Sequence, residues 1–242
     1  MIRAIEELSL NALPSLQTLM YDGWVLRFAN GYTKRANSIN PIYDSTSNVE
    51  EKIRFCEEIY RRKQLPIVFK MTSAVYPENL DAILDRCGYH IDSPTSVQTM
   101  DLIDQSSDQD AELATTFTEE WLDSFCRMNN IAEERKPTMR QMLGNIVPQK
   151  CFAAICRQDH IVACGLSVLQ NEHIGFYDIV TDASFRNQGF ATRLMSTLST
   201  WGKQNGARKA YLQVMLNNAP GMHLYAHLGF HEVYQYWYRI KK

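Results

Sequence analysis

The sequence predicts an α/β fold in which a mixed, twisted sheet is flanked by helices, duplicated along the chain, with the N-terminal copy reduced. Three observations support this prediction. Strand-like and helix-like runs alternate through the C-terminal half of the chain. A shift of 141 residues lays the N-terminal half over the C-terminal half, element by element. Of the 242 residues, 45% are apolar and only 19 are Gly or Pro, which excludes a collagen-like or largely disordered chain.

Length and charge limit the classes of protein that this chain can represent. The length fits two domains, and the polar, turn-rich stretch 103–111 places their boundary, with a first domain over 1–104 and a second over 105–242. A net charge of −2 without a basic tract gives no support to a nucleic-acid or membrane partner. There is no signal-like N-terminus and no apolar run near the roughly 18 residues of a membrane span, so we expect a soluble, cytoplasmic protein.

Periodicity assigns the elements of the C-terminal half in order. Apolar residues Phe190, Leu194, Leu198 and Trp201 recur at helical spacing, and Gly206 stands where a helix would end. The residues after it alternate as a strand whose two faces are both covered. The full series is helices over 112–130 and 134–146, strands over 151–156, 161–169 and 174–181, a helix from Phe190, a strand over 210–216, a helix over 221–228 and a strand over 233–240.

The N-terminal half repeats this pattern at low identity. The pairs are Tyr32–Asn40 with the strand at 173–181, Val49–Gln64 with the helix at 190–205, Ile67–Thr72 with the strand at 208–213, and Cys87–Tyr89 with Leu228–Phe230. A duplicated fold explains the pattern, and chance agreement of two ordinary α/β halves is the alternative. The six cysteines show no CxxC spacing, so we expect reduced thiols.

The segment from Thr181 to Ala191 runs from a strand through a tight turn into the periodic helix. The first turn of such a helix offers unpaired N–H groups and the positive end of the helix dipole, which together suit an anion. Gly189 and Ala191 let a phosphate approach the backbone, and Arg186 adds a charged contact. The segment matches neither a Walker loop nor GxGxxG.

At these residues the sequence resembles the GNAT superfamily of N-acetyltransferases, whose signature is Arg or Gln, two residues, Gly, one residue, then Gly or Ala. Arg186, Gly189 and Ala191 supply that signature. A second stretch continues the resemblance, with Asn218 followed by a Leu-Tyr pair ending at Tyr225 and by Leu-Gly-Phe at 228–230. The resemblance covers residues 112–242 and implies a GNAT-like sheet there, with a degenerate copy before it.

The resemblance implies an enzyme that moves the acetyl group of acetyl-CoA to a primary amine by direct transfer in a ternary complex. It implies that Tyr225 is the general acid that protonates the leaving thiolate, which suits a phenol of pKa near 10. The diphosphate would lie on the helix start, the pantetheine arm along the preceding strand, and Asn218 beside that arm. The implied cofactor-binding residues are Val180, Thr181, Arg186, Gln188, Gly189, Phe190, Ala191, Thr192, Asn218 and Gly221.

The general base is less clear from the sequence. Family members often place a Glu on the strand before the Asn motif, whereas this chain has Gln213, which takes no proton at neutral pH. Asp178 is the next candidate, and a water chain without a single base is the alternative. His223 and His227 share a helix face but lack a third ligand, so we expect no metal.

The N-terminal copy has lost every chemical position of these motifs. Ser45 stands opposite Arg186 and Asn48 opposite Gly189, so we expect residues 1–104 to bind no coenzyme A. Arg27 and the stretch 34–38 suggest a wall of the acceptor groove or an inter-domain contact. The acceptor itself is open between a small-molecule and a peptide amine, and the protein between a monomer and a homodimer. A non-catalytic acyl-CoA-binding or regulatory module is the alternative function.

Overall fold

The computed structural model describes residues 1–102 and 110–241. The predicted linker at 103–111 therefore lies almost wholly outside the described residues. The helices are α1 Ile2–Ala12, α2 Val49–Arg62, α3 Leu80–Arg86, α4 Glu119–Met128, α5 Lys136–Gly144, α6 Phe190–Gln204 and α7 Ala219–His227. The strands are β1 Gln17–Tyr21, β2 Trp24–Phe28, β3 Ile39–Pro41, β4 Ile67–Thr72, β5 His90–Asp101, β6 Glu112–Ala114, β7 Gln149–Arg157, β8 His160–Gln170, β9 His173–Thr181, β10 Lys209–Met215 and β11 His231–Lys241.

The chain forms two compact units. The first contains residues 1–97, 215–217 and 233–242, and the second contains residues 98–214 and 218–232. In the first unit the strand order is β1-β2-β3-β4-β11-β5, and in the second it is β5-β10-β9-β8-β7-β6, with β5 divided at Val97. Each unit has a mixed sheet with helices on it and its own apolar core. The predicted duplicated α/β fold is therefore confirmed.

The two copies end their short helices in the same way. Gly88 and Gly229, which are 141 residues apart, have φ values of +83° and +95°. The residues after them close the same bond, since Tyr89 N–H donates to the Leu84 carbonyl and Phe230 N–H to the Tyr225 carbonyl, each at 3.0 Å. A positive φ at this position favours glycine because it lacks a Cβ.

The strand predicted over Tyr32–Asn40 is shorter than expected. Only Ile39–Pro41 forms a strand, and Lys34–Ala36 forms a 3₁₀ turn. Asn37 explains the difference, because its side-chain Oδ1 accepts the N–H groups of Ala29 and Gly31 at 2.7 and 2.9 Å. These local bonds close a loop where the C-terminal copy has a long strand, and the first copy is reduced accordingly.

The last strand lies beside a strand of the first copy. β11 pairs antiparallel with β4, from Tyr236 opposite Thr72 to Lys241 opposite Ile67. The sequence predicts that the whole of 105–242 belongs to the second domain, whereas the structure places 233–242 in the first unit. The reason is packing: Arg239 of β11 is buried and bonds to Asp81.

The single helix predicted over 112–130 is wrong at its start. Glu112–Ala114 forms β6, which pairs antiparallel with β7, and the helix begins only at Glu119. Thr118 sets that start, because its Oγ1 accepts the N–H of Trp121 at 3.1 Å. Helical periodicity alone did not reveal this boundary.

Two further expectations concern cysteines and membrane spans. All six cysteines are unpaired, and four of them are buried. Within residues 1–102 and 110–241, no helix is both long enough and apolar enough to cross a membrane.

Candidate active site

β9 and β10 separate towards their C-terminal ends. Their parallel pairing runs from Lys209 opposite His173 to Leu212 opposite Phe176, although β9 continues to Thr181. On its other side β9 remains paired with β8 through Val180 and Thr181. The backbone edge of residues 177–181 that faces β10 is therefore left outside the ladder, and the two strands border a cleft.

A bulge shapes β9 inside this cleft. The register with β8 shifts between Cys164 and Leu166, and Asp178 has a φ of +55°. Such a bulge redirects the side chains that follow it. Asp178, the candidate base, is half-buried here, and its charge adds to the effect of burial in raising the pKa of the Cys164 thiol.

We name the segment after β9, residues 182–189, the phosphate turn, because the sequence predicts a phosphate there. Asp182 fixes its beginning, because Asp182 Oδ1 accepts the N–H of Ser184 at 3.0 Å and Asp182 N–H donates to the Val162 carbonyl at 2.8 Å. Arg127 of α4 forms an ion pair with the same carboxylate. The Ser184 N–H and then Arg127 hold the pKa of Asp182 below its usual value.

Gly189 ends the phosphate turn in the left-handed region, with a φ of +78°. A Cβ built on it would meet no atom within 4 Å, so the turn is open in front of α6. No side chain of the described residues caps this helix start. Ala191 and Thr192 follow as half-buried residues in its first turn, and their N–H groups have no acceptor inside the helix.

The other predicted residues of the donor site differ in exposure. Arg186 and Gln188 are exposed on the turn, whereas the ring of Phe190 is only 4% exposed and belongs to the core. Only the backbone of Phe190 can therefore face a ligand. The Oγ1 atom of Thr181 is buried and has no hydrogen-bond partner among the described residues. A buried hydroxyl of this kind is suited to a hydrogen bond with a ligand.

The Asn motif forms the start of α7. Asn218 Oδ1 accepts the N–H of Gly221 at 3.1 Å and so caps the helix. A Cβ on Gly221 would lie 2.7 Å from Asn218 Nδ2, which explains the glycine. The carbonyl of the Asn218 side chain is thus used inside the motif, while its exposed position leaves the amide nitrogen accessible.

Tyr225 lies two turns further along α7. Its ring contacts Phe230 edge-on at a centroid distance of 6.1 Å, and burial raises the pKa of its phenol. Within the described residues its hydroxyl makes no hydrogen bond, so the hydroxyl proton is available to a ligand. A phenol kept protonated can serve as a proton donor.

A pair of tyrosines at the point where the strands separate was not found from the sequence. Tyr177 of β9 donates a hydrogen bond to the Tyr211 hydroxyl of β10 at 2.8 Å, and both are buried. A Cβ on Gly175 would come within 2.5 Å of the Tyr211 ring, so the contact requires glycine there. A glycine inside a strand was the available signal. Gln213, two residues after Tyr211, follows the last paired residue of β10.

A cavity of about 700 Å³ opens beside the phosphate turn on the α4 side. Its lining includes Glu120, Asp123 and Arg127 of α4, His160 of β8, and the turn residue Ser184. Among the described residues there is no cluster of three or more potential metal ligands, and His223 and His227 gain no partner ligand.

The corresponding turn in the N-terminal copy is filled by the protein itself. The carboxylate of Asp22 accepts the N–H groups of Thr46 and Ser47 at 3.1 and 2.8 Å and the hydroxyl of Ser45 at 2.8 Å. Asn48, opposite Gly189, caps α2 by accepting the N–H of Glu51. The Asp22 carboxylate and the Asn48 side chain thus accept the hydrogen bonds of the N–H groups that a phosphate would need.

Arg27 is buried and donates hydrogen bonds to three backbone carbonyls of the first unit, those of Leu10, Leu13 and Arg35. It is therefore not available to line an acceptor groove. Its bonds instead join the end of α1 to β2 and to the 3₁₀ turn.

Known proteins share this architecture. The chain aligns at 28% identity over 248 residues with "Uncharacterized N-acetyltransferase YobR" of Bacillus subtilis strain 168, covering all of this chain and 99% of that protein. A GCN5-related N-acetyltransferase from Kribbella flavida superposes with a TM-score of 0.72 at 13% identity, covering 99% of this chain and 95% of that one. A tandem GNAT protein from the clavulanic acid biosynthesis pathway gives 0.65 at 12%, covering 98% and 87%.

These solved structures establish the fold, and the family follows from the sequence. The model of the family described as "Probable histone acetyltransferase Rv0428c C-terminal" matches residues 1–239. That match covers both copies of the fold and nearly the whole chain. The chain therefore belongs to this acetyltransferase family and has the GNAT fold.

Proposed function

We propose that this protein transfers the acetyl group of acetyl-CoA to a primary amine by direct transfer in a ternary complex. The observation that carries the proposal is the separation of β9 from β10, which leads into the open turn at Gly189. Acetyl-CoA supplies the activated acyl group as a thioester. Everything else in the reaction depends on how the chain holds the two substrates and moves protons.

The donor fits the residues of the phosphate turn. The first-turn N–H groups of α6, at Phe190, Ala191 and Thr192, would bind the diphosphate with the help of the helix dipole. Arg186 and Gln188 are exposed beside them. Val180 and Thr181 would pair with the pantetheine amides through the backbone edge that β10 leaves free. Asn218 and Gly221 border the cleft from the start of α7.

Tyr225 is the proposed general acid for the leaving thiolate. A phenol of ordinary pKa near 10 is protonated at neutral pH, and burial raises the pKa of Tyr225 further. Among the described residues, none forms a hydrogen bond with its hydroxyl. A donor of this kind contributes roughly 10²- to 10⁴-fold to the rate of proton-coupled steps. Loss of the hydroxyl should therefore lower kcat without weakening donor binding.

The amine must lose a proton to attack the thioester, and Asp178 is the proposed acceptor, directly or through water. Asp178 lies on the bulge of β9, in the stretch that no longer pairs with β10, and is half-buried. Gln213 lies on the opposite strand and can hold a water molecule but cannot take the proton. A chain of waters held by both side chains would serve the same purpose.

The acceptor would enter through the cavity beside the phosphate turn. Three carboxylates line it, from Glu120, Asp123 and Asp182. Arg127 pairs with Asp182 and Lys136 pairs with Asp123, which leaves a surplus of one negative charge. This surplus of negative charge suits a cationic amine, either a small molecule or a peptide. The histone in the description of the matching family is consistent with the peptide class.

We assign the donor site to the second unit and none to the first. The support is the turn at 45–48, whose hydrogen-bond donors are taken by Asp22. The helix that follows carries Glu50 and Glu51 in its first turn. Negative charge at that helix start disfavours a phosphate. We also propose a cytoplasmic location, because six unpaired thiols fit a reducing compartment.

The first test is calorimetric titration of acetyl-CoA into the wild type and a Gly189→Glu variant. The added side chain and charge should abolish binding of the single equivalent. Gly206→Glu is the matched control, because Gly206 lies at the other end of α6 with a φ of +94° and with open space around it. Binding that survives Gly189→Glu would place the donor elsewhere.

Tyr225→Phe separates an enzyme from a non-catalytic acyl-CoA-binding module. For the enzyme, kcat with an amine acceptor falls by about 10²-fold or more, while the acetyl-CoA dissociation constant stays within a factor of two. A wild type that binds acetyl-CoA but releases no coenzyme A with any amine of a broad panel would favour the regulatory module.

A further inference from the structure

Two arginines and one carboxylate lie beside the phosphate turn. Asp110 Oδ2 is 2.6 Å from Arg193 Nη1 and 3.2 Å from Arg157 Nη2, so one oxygen bridges two guanidinium groups. The three side chains are 31 to 39% exposed. They are therefore held together and yet remain within reach of a ligand from solvent.

This cluster is attached to the turn itself. Arg193 lies in the first turn of α6, and its Nη2 donates a hydrogen bond to the Gln188 carbonyl at 3.3 Å. The guanidinium carbons of Arg193 and Arg157 lie 4.4 and 5.1 Å from the centroid of the Phe190 ring. Both positive charges are thus concentrated where the uncapped N–H groups of α6 begin.

A carboxylate bridging two guanidinium groups makes the same contacts that a phosphate oxygen makes. The N-terminal copy shows that a carboxylate can occupy the hydrogen-bond donors of such a turn, because Asp22 accepts hydrogen bonds from backbone N–H groups and a hydroxyl of the corresponding turn. Asp110 differs in one respect. It engages side chains only, and leaves the backbone donors of the turn unused.

We propose that Asp110 is a built-in competitor of the donor phosphates: it holds Arg157 and Arg193 in the free protein and releases them when a phosphate of acetyl-CoA binds. Asp110 thereby makes the affinity of the protein for acetyl-CoA lower than it would be with the two arginines alone. This inference rests on the proposed function, since it takes acetyl-CoA to be the ligand of the phosphate turn.

The direction of the change in acetyl-CoA affinity distinguishes a carboxylate that competes with the phosphate from one that only positions the arginines. Asp110→Asn preserves the size of the side chain and removes its charge, so the local charge of the cluster rises by one. A competitor that loses its charge should tighten acetyl-CoA binding by about three- to tenfold, as expected for one charge several ångströms from a phosphate near a protein surface. A carboxylate that only positions the arginines would weaken binding when neutralised.

The experiment is calorimetric titration of acetyl-CoA into the wild type, Asp110→Asn, Arg193→Gln and the control Asp44→Asn. Asp44 pairs with Arg3 at 3.4 Å in the first unit and is 88% exposed, so its variant has the same change of net charge without a change at the turn. We expect tighter binding for Asp110→Asn, weaker binding for Arg193→Gln and no change for the control. Raising the salt concentration should reduce the differences.

The outcomes separate the two proposals. A wild type that binds acetyl-CoA while Asp110→Asn binds equally or more weakly overturns the competitor role and leaves the proposed function intact. Absence of binding to all four proteins overturns both. A gain that persists with 3′-dephospho-CoA assigns the contact to the diphosphate, and one that disappears assigns it to the terminal phosphate; either result supports competition.

Discussion

The first unit depends on a strand from the end of the chain, and Arg239 provides the sharpest test of that dependence. Its side chain is 7% exposed. Arg239 Nε and Nη2 donate to the two carboxylate oxygens of Asp81 at 3.0 and 2.7 Å, and Nη1 donates to Asp85 at 2.6 Å and to the Tyr89 carbonyl at 3.0 Å. Arg239→Met keeps the apolar stem and removes all four bonds.

The magnitude follows from burial. Breaking a fully buried ion pair costs about 3–5 kcal/mol, but Asp81 and Asp85 are 34% and 65% exposed and are partly rehydrated when the arginine is lost. We therefore expect a loss of about 2–3 kcal/mol in the free energy of unfolding. For a chain of this size that is a decrease of about 4–12 °C in Tm.

The assay is thermal and urea unfolding of the wild type, Arg239→Met and the control Arg208→Met. Arg208 pairs with Glu172 at 3.1 Å with both side chains largely exposed, so its loss should cost less than about 1 kcal/mol. Hydrogen exchange should locate the loss of protection in β4 and α3 rather than in α6. Equal stability of the two variants would refute the view that β11 holds the first unit together.

Four further outcomes follow from the structure. Because burial raises the pKa of Tyr225, kcat/KM should show no alkaline decline from this group below about pH 10, as a pH profile would reveal. Arg239 holds the pKa of Asp81 below its unfolded value, so its stabilisation is present above about pH 4 and is lost on acidification; Asp81→Asn should flatten the dependence of Tm on pH in that range. Lys70→Met should cost about 3–5 kcal/mol by leaving Glu6, 1% exposed, without its cation, and Glu6→Gln in addition should recover part of this in urea unfolding. Arg27→Ala should lower Tm but leave the acceptor KM unchanged, and a selective rise in KM would restore the groove-wall interpretation.

The turn before α6 could be located from the sequence because it depends on neighbours in the chain, whereas its role as a phosphate site stays a prediction. Strand end, tight turn, Gly189 and periodic helix follow one another within some thirty residues, and each has a local signature. The duplication could be found for a similar reason, since helix and strand periods survive when identity is lost. Helix α6 begins at Phe190, the first residue of the apolar series, as predicted.

Partners distant in the chain could not be predicted in this way. Asp110 and Arg193 are 83 residues apart, and Arg239 and Asp81 are 158 apart. Alternation of apolar residues in β11 predicts a strand but does not specify its neighbour, so its place beside β4 had to come from the structure. The capped start of α4 at Thr118 was hidden because Glu112–Ala114 also fits a helix.

The two copies of the fold differ in which groups occupy the hydrogen-bond donors of the turn at 45–48 and of the phosphate turn. In the first copy, Asp22 accepts backbone N–H groups directly and pairs with Lys52, whose side chain is fully buried. A phosphate would therefore have to displace a carboxylate that is 21% exposed and is held by a buried cation. In the second copy, Asp110 engages two half-exposed arginines and leaves the backbone donors open. Under the proposed function, the same sheet and helix carry an acetyl-CoA site in one copy and exclude it in the other, and the position of a single carboxylate contributes to that difference beside the loss of the Gly189 motif.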